Sequence, residues 1–479
     1  DLDRDQLLER VEDRKIDLAH SDRSKTPIEP YLADQWFISM NDLAQSSMDA
    51  VRDGRVHITP TRYEKGYLDW LSEKRDWPVS RQLWWGHRIP VWSLIPKDNQ
   101  QLIEIKKTLE TDSVSKQDKL YFVEVAGEDS AGGGQPTLHV CLREDNDEIS
   151  TRLESLGFEQ DPDVLDTWFS SALWPHSTLG WPEETPELNY FYPTNVLVTS
   201  RDIITLWVAR MILASLFNTD KIPFNEVYIH PKILDGYGET MSKSKGNGVD
   251  PLDVINLYGA DALRFGIAHL ATENQDARMK VEFICPHCNG LVEQTKKNRI
   301  LPVVECPKCK APFSTQWARE EADREHPRAP VTSERFELGR NFCNKLWNAS
   351  RFAMLNLQDY TPADLSIENL ELEDRWILSR LATVTEHVTD ALNHYRYADT
   401  ARILYDFAWD EFCSFYIEII KVRLADSQRG VVARRVLAHT LDTLIRLLHP
   451  IIPFITEEVW QRLAEVAPER GIKSVKTTE

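Results

Sequence analysis

Two short apolar strands flank a long apolar helix in the middle of the chain, and this order constrains the fold more than any other feature. Residues 195–199 form a β-branched run that predicts a buried strand, and residues 226–230 predict a second strand. Residues 203–217 are apolar on nearly every side and predict a buried helix. This order is typical of a βαβ unit with a right-handed crossover. Because doubly wound α/β sheets bind ligands at the carboxyl ends of their strands, we expect a site in the loop after His230.

That loop is rich in small and basic residues. Residues 238–247 have the sequence Gly-Glu-Thr-Met-Ser-Lys-Ser-Lys-Gly-Asn, with ammonium groups at Lys243 and Lys245. In such a place ammonium groups act on polyphosphate as point charges, and backbone N–H groups help to hold the phosphates. A solvated surface loop is the alternative, and it would be preferred for an isolated Lys-Ser-Lys. The position directly after a βαβ unit favours the phosphate site.

A second signal is a doubled Cys-x-x-Cys pattern. Cys285 and Cys288 form the first pair, Cys306 and Cys309 form the second, and 17 residues separate the pairs. Four thiolates at this spacing predict a tetrahedral zinc site, with His287 as a bystander because the thiolates already fill the coordination sphere. Four unrelated buried cysteines are one alternative, and redox chemistry is a weaker one because a redox pair needs no second copy. The odd total of seven Cys favours metal in a reducing compartment over a disulfide framework.

The composition of three other segments predicts how the chain is organised. Residues 96–160 are polar and uneven, which predicts an insertion of short strands with a flexible loop at the glycine run 132–134. Residues 318–334 are charged and contain Pro, which predicts a linker. The aromatic segment before the insertion contains three tryptophans that we expect in a core rather than on a base-stacking surface: Trp84, Trp85 and Trp92.

From Phe336 onward, apolar residues recur at three- and four-residue steps, which predicts helices. The clearest series are Ile377, Leu381, Val384, Val388, Ala391 and Tyr395, and then Leu437, Leu441, Leu444 and Leu448. His449-Pro450 should end the second series, because Pro cannot continue a helix. Short connections between the series predict a helix bundle, so the whole chain is expected to be α/β plus all-α.

Charge and hydropathy exclude several classes of protein. The chain has 56 Lys and Arg against 76 Asp and Glu, a net charge of −20, which excludes a globally basic nucleic-acid coat protein but not a local basic face. No apolar run reaches the ~18 residues of a membrane helix, and no basic-then-apolar leader opens the chain. We therefore expect a cytoplasmic protein without a membrane span. The first residue is Asp rather than Met, so the chain is either processed or a piece of a longer protein.

Five segments resemble class I aminoacyl-tRNA synthetases, and valyl-tRNA synthetases in particular. The loop at 238–247 is similar to the KMSKS signature of that class. The other four segments are Ser-Arg-Gln-Leu-Trp-Trp-Gly-His-Arg-Ile-Pro-Val-Trp at 80–92, Asp-Val-Leu-Asp-Thr-Trp-Phe-Ser-Ser at 163–171, Trp-Val-Ala-Arg-Met at 207–211 and Asn-Lys-Leu-Trp-Asn-Ala-Ser-Arg-Phe at 344–352. The resemblance covers residues 28–465, apart from 96–160 and 281–333.

The resemblance implies that residues 28–280 are the second half of a class I, Rossmann-like catalytic domain. It implies an antiparallel, anticodon-binding helix bundle at 334–479, truncated at its C-terminus, and the tail of a connective or editing insertion at 1–27. The cysteine pairs add an inserted zinc ribbon with its linker at 281–333. The chain contains no HIGH-type motif of the first catalytic half and no body of an editing domain. We therefore expect the C-terminal portion of a longer enzyme.

The resemblance also implies a reaction, the ligation of L-valine to tRNA(Val). ATP and valine form valyl-adenylate, which the terminal ribose hydroxyl of the tRNA then attacks. Lys243 is implied as the catalytic cation that stabilises charge on the transferring phosphates. The residues implied for binding ATP, which carries Mg²⁺, are His230, Met241, Ser242, Lys243 and Ser244. Trp168 and Ile203 are implied to line the valine pocket of a monomeric enzyme.

Three positions depart from the family pattern. Thr240 stands in place of the first signature Lys, Ser200-Arg201 in place of Gly plus an aromatic residue, and Pro231 in place of Gly. A non-catalytic tRNA-binding paralogue and one subunit of a split synthetase are the alternatives to the enzyme. Lys243 and the pocket segments favour the enzyme, since a binding module has no physical use for them.

Basic residues of the cysteine-bearing segment and of the helices are candidates for tRNA contacts. For the cysteine-bearing segment, a purely structural role is equally open. The candidates are Lys296, Lys297, Arg299, Lys308, Lys310, Arg340, Lys345, Arg351, Arg396, Arg402, Lys421, Arg423, Arg434 and Arg435.

Overall fold

The computed structural model of the 479-residue protein describes residues 4, 12–21, 24–29, 32–111, 120–125, 137–142, 145–242, 245–272, 275–358, 360–362, 366–426 and 428–470. The chain divides into two units. The first unit consists of Asp1–Arg55, Gly66–Thr194 and Thr205–Pro223, and the second of Val56–Lys65, Asn195–Ile204 and Phe224–Glu479.

The strands of the described residues are short and lie between Phe37 and Thr332. In chain order they are β1 (Phe37–Ile38), β2 (His57–Thr59), β3 (Trp77–Pro78), β4 (Ser80–Arg81), β5 (Val91–Leu94), β6 (Leu120–Val125), β7 (Thr137–Leu142), β8 (Glu159–Gln160), β9 (Val164–Leu165), β10 (Thr194–Ser200), β11 (Phe224–His230), β12 (Ile233–Asp235), β13 (Ala277–Met279), β14 (Glu282–Ile284), β15 (Leu291–Glu293), β16 (Val303–Glu305), β17 (Pro312–Ser314) and β18 (Val331–Thr332).

The longest helices lie in the C-terminal third. In chain order the α-helices are α1 (Asn41–Arg52), α2 (Glu64–Ser72), α3 (Asn99–Thr111), α4 (Asp147–Ser155), α5 (Thr167–Ala172), α6 (Trp174–Ser177), α7 (Pro186–Phe191), α8 (Ala209–Thr219), α9 (Pro251–Tyr258), α10 (Ala260–Leu270), α11 (Glu321–Arg324), α12 (Arg335–Asn356), α13 (Leu372–Asn393), α14 (Tyr397–Asp406), α15 (Ile417–Leu424), α16 (Arg429–Leu448) and α17 (Pro453–Val466). Short 3₁₀ turns occupy Thr61–Tyr63, Arg201–Ile203 and Ile367–Asn369, and π-helical segments occupy Ile204–Val208 and Phe407–Tyr416.

In the first unit, the segment predicted to be an insertion forms a sheet together with β5, the strand just before it. The strand order is β6-β7-β5-β8, and neighbouring strands run antiparallel. Trp92 of β5 and Val140 of β7 share one core with apolar residues of α3 and α4. The predicted short strands are confirmed, whereas the sequence pattern does not predict α3 and α4. The glycine run at 132–134 lies outside the described residues.

The loop between β4 and β5 exposes two tryptophans. Trp84 is 102% and Trp85 is 90% exposed, so the prediction that both lie in a core is wrong, although Trp92 is buried. The chain pairs with β9 at β4, just before this loop, and again at Arg88 within it. A Cβ at Gly86 would lie only 2.8 Å from the side chain of Val164 on β9. The loop backbone therefore lies against β9 at Gly86, while the two indoles beside it are left in solvent.

In the second unit, the predicted strands lie in a three-stranded sheet of order β10-β11-β2, in which β11 runs parallel to β2. The strand prediction for residues 195–199 is confirmed, but its complete burial is wrong. Leu197 and Thr199 are buried, whereas Val196 and Val198 are exposed, because successive side chains of a strand point to opposite faces and β10 is at the sheet edge. β11 ends at His230, at the start of the predicted site.

The helix predicted at 203–217 is present but irregular. It begins as a 3₁₀ turn, continues through a π-helical segment and becomes α8. In the part of the chain that the structure describes, this one helix, Arg201–Thr219, has the length and composition of a membrane-crossing helix. Core helices meet the same criterion, and Val208, Met211 and Ile212 are completely buried. Its length and composition are therefore weak evidence for a membrane span.

Small antiparallel sheets surround the cysteines. β14 pairs with both β15 and β18, and β16 pairs with β17. The prediction of a linker at 318–334 is therefore wrong for its C-terminal end, which forms β18. Val331 of β18 is buried, and Arg328 donates to both carboxylate oxygens of Asp253 at 2.8 and 2.9 Å. The ion pair between Arg328 and Asp253 attaches the end of this segment to α9, whereas most of its other charged residues are exposed.

The C-terminal helices follow the predicted pattern. The apolar series on α13 and α16 is buried, and α16 ends at Leu448, as His449-Pro450 predicts. α16 packs against α13, α15 and α17. Tyr395 is the exception in its series. It follows α13 with a φ of 57° and stacks on Tyr228 of β11 at a ring distance of 5.1 Å.

One arginine that was a candidate tRNA contact is buried. The Arg423 side chain on α15 is 4% exposed and donates to Asp374 at 2.8 Å and to Glu373 at 2.9 Å. Asp374 is itself completely buried, and it also accepts a hydrogen bond from the Tyr416 hydroxyl at 3.2 Å. The prediction of a tRNA contact is wrong for Arg423, because its guanidinium is enclosed by carboxylates at the start of α13.

We expect Asp374→Ala to lower the free energy of unfolding of the helical region by about 3 kcal/mol, because it leaves a buried guanidinium without its closest carboxylate. Urea unfolding followed by circular dichroism measures the change. As a control, Glu418→Ala removes the exposed partner of Lys421, which lies 2.6 Å away, and should cost less than about 1 kcal/mol. Equally small losses in both variants would contradict a stabilising role for the buried pair.

Candidate active site and metal centre

The signature loop, residues 236–247, is closed at its neck by two buried polar side chains. Asp235 Oδ1 accepts the backbone N–H groups of Tyr237 at 3.0 Å and of Glu239 at 2.8 Å. Asn247 Nδ2 donates to Asp235 Oδ2 at 2.8 Å, and Asn247 Oδ1 accepts the Ser242 N–H at 2.9 Å. Asp235 is 3% and Asn247 1% exposed. The two ends of the loop are therefore joined through side chains that water does not reach.

Part of the implied ATP site lines one cavity of about 530 Å³ in the second unit. His230, Thr240 and Met241 contribute to its wall. The remaining lining residues are Ser200, Asp202, Pro231, Lys232, Ile233, Ile267, Leu270, Ala271 and Ala277. Ser242 lies at the neck of the signature loop, and Lys243 and Ser244 lie outside the described residues. Among the described site residues, the structure thus brings His230 and Met241 to the same cavity.

Two ion pairs lie beside this cavity. Arg201 donates to both carboxylate oxygens of Asp276 at 3.1 and 2.7 Å, and Lys232 pairs with Asp202. Although burial acts in the opposite direction, hydrogen bonds from Arg201 and from the Lys232 N–H lower the pKa of Asp276. Arg201, which departs from the family pattern, therefore has an ionised carboxylate as its partner in this chain.

The two residues implied for the valine pocket belong to different units. Trp168 lies on α5 in the first unit, and Ile203 ends the 3₁₀ turn in the second unit. Both side chains are half-buried. In the first unit, Trp207 Nε1 donates to the Ser171 carbonyl on α5 at 2.9 Å. This bond joins two of the segments on which the family resemblance rests.

Sequence reasoning missed an apolar cavity of about 600 Å³ that lies beside α5 in the first unit. Its wall combines four separate stretches of chain, which no local pattern connects. The lining residues are Ile38, Ser39, Asp42, Leu43, Trp77, Phe169, Ala172, Leu173, Trp181, Leu213, Ala214, Phe217 and Asn218.

The four cysteines of the two pairs come together in space. Their Sγ atoms all lie within 4.8 Å of one another. The Cys285–Cys309 distance is 3.6 Å, and the Cys288–Cys306 distance is 3.8 Å. Four sulfur atoms bound tetrahedrally to one zinc ion are about 3.8 Å apart, given the usual Zn–S bond length. The donor set and its spacing therefore suit a zinc ion.

Both cysteine pairs lie in the same kind of turn. The Asn289 N–H donates to the Cys285 carbonyl, and the Lys310 N–H donates to the Cys306 carbonyl, each at 2.9 Å. Asn289 and Lys310 occupy equivalent positions and both have a left-handed backbone, with φ of 55° and 65°. His287 Nε2 lies 2.9 Å from the first carbonyl of β17, so its ring is directed away from the thiols. The two turns present their thiols to a common centre.

Comparison with known proteins assigns the chain to a family. The family described as tRNA synthetases class I (I, L, M and V) matches residues 9–280. The chain belongs to the class I tRNA synthetases. A second family, the anticodon-binding domain of tRNA ligase, matches residues 374–477 of this synthetase chain. The family predicted from the signature loop and the other four segments is confirmed.

Individual relatives of this synthetase chain are valine–tRNA ligases. The chain is 62% identical to the valine–tRNA ligase of Rhodopirellula baltica over 97% of its own length, which is 45% of that protein. It is 40% identical to the valine–tRNA ligase of Thermotoga maritima, again over 97% of its own length and 42% of that protein. The chain thus spans less than half the length of the curated relatives it matches.

Solved structures of other synthetases share the fold. Mycobacterium tuberculosis methionyl-tRNA synthetase with methionyl-adenylate matches 96% of this chain and 71% of that chain, with a TM-score of 0.57 and 14% identity. The apo form of the same enzyme matches 92% and 65%, with a TM-score of 0.54 and 11% identity. The synthetase chain therefore has the class I catalytic fold followed by a helical C-terminal region.

Two basic residues of the cysteine module, residues 281–317, pair with carboxylates at the signature loop. The Arg299 side chain is 11% exposed and donates to Asp235 at 3.2 Å and to Glu239 at 2.9 Å. Lys296 pairs with Glu239 at 2.6 Å. The prediction of a tRNA contact is wrong for Arg299, because its partners in the synthetase are carboxylates at the signature loop. No sequence pattern relates Arg299 to residues about 60 positions earlier, so only the fold reveals this contact.

Proposed function

We propose that the protein that carries this chain ligates L-valine to tRNA(Val) through valyl-adenylate. The observation that carries the proposal is the 62% identity to a valine–tRNA ligase over 97% of the chain. The chain contributes the second half of the catalytic domain at 28–280, the cysteine module with the segment that follows it to residue 333, and an anticodon-binding helical domain at 334–479. The enzyme is monomeric and cytoplasmic in this proposal.

Residues of the signature loop and of β11 handle ATP in this proposal. Lys243 stabilises the charge that develops on the phosphates as valine carboxylate attacks the α-phosphate and pyrophosphate leaves. His230, Met241, Ser242 and Ser244 bind the nucleotide, which carries Mg²⁺. The closed neck of the signature loop supports this role, because Asp235 and Asn247 fix the described loop residues before and after Lys243 in the sequence.

Trp168 and Ile203 are the two side chains assigned to valine in this proposal, as the family resemblance implies. Apolar side chains suit the isopropyl group of valine, and a pocket of limited size excludes larger amino acids. An apolar pocket cannot reject threonine strongly, because one added hydroxyl changes binding by only about 100-fold. Selection against threonine therefore needs a separate hydrolytic step.

One zinc ion is held by Cys285, Cys288, Cys306 and Cys309 in this proposal. When bound, it supplies folding free energy to the cysteine module and takes no part in the reaction. The spacing of the four sulfur atoms and the repeated turn support a closed, structural site. No substrate has to reach the ion, since thiolates occupy all four positions.

The helical region binds the anticodon stem and loop of tRNA(Val) in this proposal. The match of residues 374–477 to an anticodon-binding domain supports it. Unstacked anticodon bases bind to aromatic rings and guanidinium planes, and phosphates bind to cations. Arg423 is excluded from this surface by its burial. A non-catalytic tRNA-binding paralogue and one subunit of a split synthetase are the competing functions.

We expect the full-length protein to exchange pyrophosphate into ATP in a valine-dependent way. Lys243→Ala should lower kcat by about 100- to 1,000-fold, because it removes a cation that acts in the transition state. The KM for valine should stay within about twofold of the wild-type value, since the substitution does not change how tightly valine is bound before the reaction. Lys107→Ala, on the exposed face of α3, is the matched control and should keep full activity.

The same assay separates the alternatives. A folded full-length protein that shows no exchange with any amino acid would support the non-catalytic paralogue. Exchange that requires a second, separately encoded chain would support the split synthetase.

We expect purified protein to contain about one equivalent of zinc, as four thiolates fill one tetrahedral site. Cys306→Ser should reduce the zinc content to well below half an equivalent, measured by plasma mass spectrometry. Cys141→Ser, on β7 of the first unit, is the control and should retain the metal. Protein without zinc after purification free of chelators would contradict the assignment.

We expect the chain to bind tRNA(Val) more tightly than a variant with an exchanged anticodon. Binding should weaken as salt is raised, since phosphate contacts release counterions. Filter binding over a series of salt concentrations measures both effects. Equal affinity for the two RNAs at every salt concentration would indicate a generic electrostatic surface and contradict anticodon binding.

A further inference from the structure

We propose that the cysteine module holds the signature loop in the position that phosphate transfer requires, with Arg299 as the main positioning residue. The proposal rests on the function proposed above, because there the signature loop acts on ATP. Three independent sets of contacts join the module to the loop. They lie on both sides of Lys243 in the sequence.

The first set is the pair of charge-assisted hydrogen bonds made by Arg299. Its two terminal nitrogens donate to different carboxylates, Asp235 at the start of the signature loop and Glu239 within it. Asp235 already holds the other end of the loop through Asn247. Arg299 therefore contacts one of the two side chains that tie both ends of the loop together.

The charge state of Glu239 keeps this contact intact. Hydrogen bonds from Lys296 and from Arg299 lower the pKa of Glu239 to about 2. Because the pKa is lowered, the stabilisation that the ionised Glu239 gives to this contact is fully present above the ordinary pKa of a Glu side chain. It is lost only as the pH falls toward 2. Near neutral pH, Glu239 is therefore fully ionised where it meets Arg299 and Lys296 of the cysteine module.

The second set lies on the other side of Lys243, at Gly246. Gln294 is buried, and its Nε2 donates to the Gly246 carbonyl at 3.1 Å. Gly246 has a φ of 64°, and a Cβ there would lie 2.7 Å from the Arg299 carbonyl and in hard contact with the Trp317 indole. The loop backbone and the module approach so closely that only glycine fits between them.

The third set is apolar. The cysteine module has its own core, which contains Phe283, Phe313 and the buried thiols. Met241 of the signature loop and Val249, just after it, pack against this core. Met241 also lines the cavity of the implied ATP site. One loop side chain thus contacts both the module and the cavity.

These contacts position the loop rather than the nucleotide. The Arg299 guanidinium is already committed to two carboxylates, and its side chain is 11% exposed. A shift of the loop neck would move Lys243, and displacement of a catalytic group by about 1 Å can cost about 100-fold in rate. The contacts of the module are therefore suited to keep kcat high without touching ATP.

Arg299→Ala tests the inference in two ways. In the full-length protein, we expect kcat of valine-dependent pyrophosphate exchange to fall by about 10- to 100-fold. The KM for valine should change by less than about threefold, since the pocket is untouched. Arg299→Lys keeps a cation and should recover part of the loss. In the chain itself, backbone amides of residues 236–242 and 245–247 should exchange hydrogen faster, while those of α13 and α16 should not change.

Arg380→Ala is the matched control, because Arg380 also donates to a carboxylate through two nitrogens, at 2.7 and 2.8 Å from Glu411 in the helical region. It should leave both measurements unchanged. Gln294→Ala removes a single contact to Gly246 and replaces Arg299→Ala as the test variant if Arg299→Ala does not fold.

Each result decides a different point. Unchanged hydrogen exchange of the loop in a folded Arg299→Ala or Gln294→Ala protein would overturn the inference. Faster loop exchange with unaltered kcat would overturn the positioning role. A wild-type protein that never exchanges pyrophosphate would contradict the proposed function, while the hydrogen-exchange comparison would still decide whether the module holds the loop.

Discussion

The carboxylate of Asp235 is the interaction on which the architecture of the candidate active site depends. Its two oxygens accept four hydrogen bonds, two from backbone N–H groups early in the signature loop, one from Asn247 at the end of the loop, and one from Arg299 of the cysteine module. A buried carboxylate is costly unless its lone pairs are satisfied, and here the partners come from three parts of the second unit. The loop, its closure and the module are therefore parts of one hydrogen-bond network.

Local patterns in the sequence predicted what depends on neighbouring residues. The doubled Cys-x-x-Cys spacing predicted the meeting of four thiols, because each pair needs only its own turn to present both sulfur atoms. The apolar series on α13 and α16 predicted buried helix faces, because a helix repeats every 3.6 residues. The signature loop was recognised from ten consecutive residues, and the strand predicted at 226–230 gave its place after β11.

The same sequence could not reveal contacts between distant segments. Arg299 and Arg423 look like surface charges in the sequence, yet each meets carboxylates about 50 to 60 positions away. Residues 318–334 look like a linker, although two of them form β18 beside β14. Of the implied site residues, Lys243 and Ser244 lie outside the described residues, so their roles stay predictions.

The loop between β4 and β5 has an optical consequence. Trp84 and Trp85 are two of the fifteen tryptophans of the chain, and their indoles are fully in water, whereas Trp77 and Trp92 are enclosed. An indole in water emits at longer wavelengths than an enclosed one and is open to collisional quenchers such as iodide. The intrinsic fluorescence of this protein therefore contains a red-shifted, quencher-accessible component from the loop next to Gly86. Any molecule that covers this loop would shift that component toward the blue without an added label.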